Sequence, residues 1–203
     1  MPKQLPILVL LPATEPGNRN YGEMSERIAS FPDLTVRQVT YPTLVWYSRA
    51  VQDEAIAQIR SWNAPSIILV GFSKSGPGAW NIARRIPDLV HGTIIFDAPV
   101  ARDNLPPWGT APFYKDNAAW QEDLPLRTCG QFRRAMPPHH QLVLVSGTGF
   151  HAEMCALSDK LSGIGLKHVF LPRPDMKHHW NAGWVEEGLS NISGIGRSGN
   201  EQK

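Results

Sequence analysis

Apolar residues fall in short runs along this chain, and the segments between the runs have a different period. Ile7–Leu11 (ILVLL) is continuously apolar, the pattern of a strand buried on both faces. Leu34–Val39, Ser66–Val70, Thr93–Phe96, Leu142–Val145 and Lys167–Leu171 read as further strands. Between them the spacing turns helical. Tyr21, Met24 and Ile28 share one face of a helix over Tyr21–Ala29. Ser48 can cap a second helix reaching about Trp62, with Val51, Ala55 and Ile59 on its apolar face. Gly76–Arg85 reads as a third that stops before Pro87. Met154, Leu157 and Leu161 line a fourth, and a last one covers Gly183–Ile192.

Strands alternating with helices predict an α/β three-layer sandwich. Its sheet is mostly parallel, with about six strands and helices on both faces. In such sheets, functional groups collect beyond the carboxyl ends of the strands. One segment breaks the alternation. Residues 99–140 carry Pro106, Pro107 and Pro112 and the aromatics Trp108, Phe113, Tyr114 and Trp120, which look exposed. A stretch this long without a clear strand is seldom idle, so we expect a cap whose aromatics and Leu124 wall an apolar pocket. Residues 1–193 form a single expected domain, and the Gly-rich, polar tail 194–203 is expected to fray.

Composition narrows the function. At 203 residues and 42% hydrophobic, the chain suits one globular core. Net charge is only +2 and the basic residues are scattered, which argues against nucleic acid as a partner. The apolar start, Leu5–Leu11, is short and interrupted by Pro6, so a buried first strand explains it better than a signal peptide. No run is long enough to span a bilayer. The two cysteines, Cys129 and Cys155, lack Cys-x-x-Cys spacing and read as free thiols. A cytoplasmic protein, monomer or homodimer, is the expectation.

The sharpest local signal is Val70-Gly71-Phe72-Ser73-Lys74-Ser75-Gly76, after an expected strand and before an expected helix. A serine on so tight a turn needs small neighbours two residues away, here Gly71 and Ser75. A plain strand–helix loop would use the same residue types. A phosphate loop would need a glycine farther upstream of Lys74-Ser75 than the sequence has.

A serine hydroxyl needs a base, and the base needs an orienting carboxylate. His178 and His179 follow the last strand, and His179 is preferred narrowly over His178. The loop Ser146-Gly147-Thr148-Gly149-Phe150 has Phe150 where an acid is expected. Asp97, ending the fourth strand, and Glu153 are the substitutes, and Asp97 is preferred. A turn cap is the competing reading of Asp97. The N–H groups of Lys74 and of Thr14 or Ala13 could hold an oxyanion.

These residues resemble the α/β-hydrolase superfamily, from about Pro6 to Ile192. The resemblance rests on Gly71-Phe72-Ser73-Lys74-Ser75-Gly76 and on His178-His179. It implies a minimal sheet without leading antiparallel strands, an insertion after Asp97 and a Ser–acid–His site. Ser75, Pro12-Ala13 and Phe150 depart from the family's usual residues. The expected activity is hydrolysis of a carboxylic ester or thioester with a small-molecule acyl group, without cofactor. The alternative is a non-catalytic pseudo-hydrolase that binds a ligand in the same pocket. A metal-dependent enzyme built on His139-His140 and His178-His179 is a third reading. It is weak, because adjacent histidines rarely share one metal.

Overall fold

The computed structural model describes residues 5–14, 17–22, 34–41, 46–193 and 195. Its elements follow in the order β1 (Ile7–Leu11), β2 (Val36–Gln38), α1 (Arg49–Ser61), β3 (Ile67–Phe72), α2 (Ser75–Arg85) and β4 (Val90–Phe96). Then come α3 (Asn117–Asp123), α4 (Pro125–Ala135), β5 (Gln141–Val145), α5 (His151–Gly163), β6 (Val169–Leu171) and α6 (Trp184–Ser190). A short 3-10 turn, Trp180–Ala182, precedes α6. Most of the helix expected from Tyr21 to Ala29 lies outside the described residues, as does all of the expected tail except Ile195.

The strands form one sheet in the order β2-β1-β3-β4-β5-β6, and every pair is parallel. Alternation inside the apolar runs sorts side chains to two faces. Val9, Leu11, Ile67, Leu69 and Leu144 join α1, α2, α4 and α5 in one core. Leu8, Leu10, Ile68, Val70, Phe72, Ile94 and Phe96 join α6 in the other. The inner runs are continuously apolar because both faces of β1, β3, β4 and β5 are covered, whereas the edge strand β2 (Val36-Arg37-Gln38) is exposed. This is the expected three-layer α/β sandwich.

Chain order reverses at β1, which sits between β2 and β3. Such a switch opens a crevice outside the carboxyl ends of the two strands. The residues there are Pro12–Thr14 after β1 and Ser73 after β3.

Residues 99–140 contain two helices that the sequence pattern did not announce, α3 and α4. Phe132 of α4 stacks on Trp80 of α2 at 3.8 Å, so α4 flanks the sheet. Trp120, Tyr114 and Leu124, read as exposed or pocket-lining, are buried with Trp46 in a small core of their own. Trp108 remains exposed, at 41%. Both cysteines are free thiols. No described helix is long and apolar enough to cross a membrane.

Candidate active site

Ser73 stands between β3 and α2, with a φ of 51°. A non-glycine residue there is strained, and the strain lifts its side chain off the strand end. Local contacts enforce the turn. Ser73 N–H donates to Phe96 O at 3.1 Å, and Gly76 N–H donates back to Ser73 O at 3.0 Å. A Cβ on Gly71 would come within 2.5 Å of the Ser75 carbonyl oxygen, so only glycine fits. Ser75, the departure from the usual glycine, is accommodated because its hydroxyl turns inward. Its Oγ lies 2.9 Å from both Phe72 N and Phe72 O, and bonds to each.

His178 lies against this serine. Its Nε2 is 3.1 Å from Ser73 Oγ, and its Nδ1 is 2.7 Å from Asp97 Oδ2. An ionised carboxylate only accepts, so Nδ1 carries the proton and donates to Asp97. Nε2 is then the acceptor for the Ser73 hydroxyl. The sequence preference for His179 is therefore corrected. The loop turns the neighbouring ring away, and His179 Nδ1 accepts the Asn181 N–H at 3.1 Å, capping the 3-10 turn. The sequence contained no signal to separate the two, since adjacent residues on an extended loop point opposite ways.

Asp97, at the end of β4, is fully buried. Its carboxylate accepts from Gly147 N–H at 3.0 Å, Phe150 N–H at 2.7 Å and Gly149 N–H at 2.8 Å, besides His178. Burial pushes its pKa up, but the bonds from His178, Gly149 and Phe150 and the His178 charge prevail and hold it below the ordinary carboxylate value. Phe150, where an acid was expected, thus serves the acid on the neighbouring strand through its backbone. Gly147 and Gly149 were missed as functional positions. A Cβ on Gly147 would stand 2.6 Å from Asp97 Oδ2, and one on Gly149 would stand 2.9 Å from His178 Nδ1. Two glycines two apart, just past a strand, were the available signal for close backbone approach to another group.

Glu153, the rival acid, is committed elsewhere. It accepts from Ala101 N–H at 3.1 Å and pairs with Arg102 at 2.8 Å. The loop bearing His178 is pinned to the loop bearing the glycines: Thr148 N–H donates to Met176 O at 2.9 Å. Trp180 N–H donates to Tyr21 O at 2.7 Å, which fixes the other side.

Lys74 is the residue after Ser73 and the N-cap of α2. Ala13 and Thr14 follow β1, whose Leu11 pairs with Gly71 of β3. Tyr47 Oη–H donates to Pro12 O at 3.0 Å and holds that loop. Three further aromatic rings surround His178: Phe72 at 4.5 Å, Tyr21 at 5.4 Å and Phe150 at 5.6 Å between centroids. Trp108 stands beyond Phe150, at 5.8 Å from it. The arrangement can take a proton from Ser73 at one nitrogen while a buried carboxylate steadies the other.

The chain matches no protein-family model and no curated protein. Among solved structures it is similar to FphF of Staphylococcus aureus, a fluorophosphonate-binding serine hydrolase, with a TM-score of 0.69 at 15% identity. That match covers 93% of this chain and 84% of the other. It is similar to an S-formylglutathione hydrolase from Agrobacterium tumefaciens, with a TM-score of 0.61 at 17% identity over 95% of this chain and 86% of that one. It is also similar to dipeptidyl peptidase 4 of Porphyromonas gingivalis, with a TM-score of 0.64 at 15% identity over 85% of this chain. It spans only 28% of that much longer protein.

Proposed function

We propose that this chain, which has the α/β-hydrolase fold, is a serine hydrolase that cleaves a carboxylic ester or thioester through an acyl-enzyme. The observation that carries the reading is the continuous line from Ser73 Oγ through both nitrogens of His178 to buried Asp97. Fold alone would not support it, since one fold hosts many chemistries.

Ser73 Oγ attacks the substrate carbonyl carbon while His178 Nε2 takes the hydroxyl proton. Asp97 keeps Nδ1 protonated and balances the imidazolium charge. The N–H groups of Lys74 and of Ala13 or Thr14 hold the developing oxyanion. His178 then gives its proton to the departing alkoxide or thiolate as the C–O or C–S bond breaks. Water, losing a proton to His178, attacks the acyl-serine, and the carboxylic acid leaves as Ser73 recovers its hydrogen. The described residues supply every proton transfer, so the sequence of steps calls for no cofactor. The segment after Asp97 contributes the outer wall of the cleft through Trp108.

The test is labelling with a fluorophosphonate, followed by peptide mass spectrometry, on wild type, His178→Ala and His179→Ala. An adduct on Ser73 that disappears with His178→Ala and survives His179→Ala is the expected result. A folded wild type that forms no adduct on Ser73 would sink the reading and leave ligand binding without catalysis in its place.

A further inference from the structure

Among the described residues only three large apolar side chains are exposed; one of them, Tyr21, stands beside His178, and a second, Trp108, stands beside Phe150, which packs on that histidine. Tyr21 meets the imidazole directly, at 5.4 Å, and Trp108 meets it through Phe150. An apolar surface left open at a reactive centre marks a binding surface. Trp108 is open and yet firmly held. Its carbonyl oxygen accepts from Lys74 Nζ at 2.9 Å and from Trp46 Nε1 at 3.0 Å. Lys74 follows Ser73 in the chain, so the backbone that carries the indole is tied to the residue after the serine. The Arg102 guanidinium lies 4.8 Å from the Trp108 ring centroid and is fixed in turn by Glu153. An exposed tryptophan anchored on several sides is prepared for a ligand rather than left over from packing.

The shape of the surface names the ligand. Trp108 and Phe150 meet at 77°, the angle of an edge-to-face pair. The Arg102 guanidinium stands over both rings, 4.8 Å from the Trp108 centroid and 5.8 Å from that of Phe150, so a flat ring would stack on the part of the Trp108 indole that stays open, a favourable arrangement. A puckered saturated ring of the same size has no π face to offer. Arg102 does not call for an anion, because Glu153 already balances its charge.

We infer that Trp108 is the specificity-determining side chain of the cleft and that it receives a flat aromatic ring of the ester. Arg102 is a positioning residue that acts through Trp108. The inference rests on the hydrolase reading of Ser73.

The experiment compares methyl 3-phenylpropanoate with methyl 3-cyclohexylpropanoate, which present the same reacting carbonyl. Steady-state kinetics are measured on wild type, Trp108→Ala, Trp108→Phe and Arg102→Gln. In wild type, kcat/KM favours the phenyl ester about fivefold to tenfold. Trp108→Ala removes the preference by raising KM for the phenyl ester, with kcat changed by no more than about twofold. Trp108→Phe restores part of the preference, and Arg102→Gln lowers it without abolishing it. Equal kcat/KM for the two esters in wild type overturns the inference, as does a preference that survives Trp108→Ala. Labelling of Ser73 in the wild type by a small fluorophosphonate keeps the two readings apart. Labelling without ring preference overturns the inference alone, whereas wild type that does not label overturns the proposed chemistry and this inference with it.

Discussion

Ser73 and Asp97 occupy matching places on neighbouring strands. Phe72 of β3 pairs with Phe96 of β4, and each of the two residues comes directly after that pair. Each also has positive φ, 51° for Ser73 and 41° for Asp97, and Asn63 is the one other non-glycine residue so placed among those described. Such a conformation costs about 1–3 kcal/mol per residue. The backbone around both sites sustains it: Ser73 N–H bonds to Phe96 O at 3.1 Å, and Asp97 N–H bonds to Val145 O at 2.9 Å. The fold therefore spends stability at the two positions where serine and carboxylate must face one imidazole.

That strain is measurable apart from catalysis. Ser73→Ala and Ser73→Gly both remove the hydroxyl, but only glycine relieves the backbone. Ser73→Gly should exceed Ser73→Ala in unfolding free energy by roughly 1 kcal/mol, with both inactive. Urea denaturation of the two variants checks it. Equal stabilities would mean that the turn is relaxed in solution.

The two histidines separate by geometry, His178 against Ser73 and His179 against the Asn181 N–H. His178→Ala should lower kcat/KM on the order of 1,000-fold, because it removes the acceptor of the Ser73 proton. His179→Ala should keep activity within about threefold, since its ring serves the Asn181 N–H. It should cost about 1 kcal/mol of stability through loss of that cap. Parallel kinetics and thermal melts on both variants make the comparison.

The glycines under Asp97 offer a finer probe. Gly149→Ala puts a methyl group 2.9 Å from His178 Nδ1 and 3.0 Å from Asp97 Oδ2, and so pushes apart the pair it sits beneath. Expected is a loss of about 10- to 100-fold in kcat with little change in KM, from misplacement of a group rather than its removal. A nuclear magnetic resonance spectrum of the His178 Nδ1 proton should lose its downfield position in the same variant. Full activity in Gly149→Ala would show that the carboxylate tolerates movement.

Much of this was legible in the chain. Apolar runs of strand length located the inner strands, because strands covered on both faces must be apolar throughout, and the strand expected over Leu34–Val39 proves to be the exposed edge strand β2. The Gly71–Gly76 turn located the serine, because its steric demands restrict which residues can flank it. Asp97 was found through its place at a strand end. The choice between His178 and His179 was not legible, since loop torsions decide which ring turns inward. Nor was the carboxylate cradle, built from backbone N–H groups that every residue carries. Helices α3 and α4 escaped because proline and scattered aromatics mask their period, although Trp120 and Phe132 turned out to be core residues.

Acid should weaken the fold at a site remote from the chemistry. Both ring nitrogens of His140 are buried without a protein partner among the described residues, and Phe132 packs against the ring at 5.6 Å. Burial, reinforced by the charges of His139 and His91, lowers its pKa from 6.5 to about 4. The folded state thus binds this proton less readily than the unfolded state does. Stability from this group is complete above the unfolded pKa of about 6.5, declines as pH falls, and levels off below about 4. A gap of this size corresponds to at most about 3 kcal/mol over that window. His140→Phe has no such proton to exclude, and it keeps a ring against Phe132. Chemical denaturation at pH 7 and pH 4.5 should show a smaller drop for His140→Phe than for wild type, by about 2 kcal/mol. An identical drop in both proteins would mean that His140 finds a proton acceptor or water in solution, and that the acid sensitivity has its source in Asp97 and the other carboxylates instead.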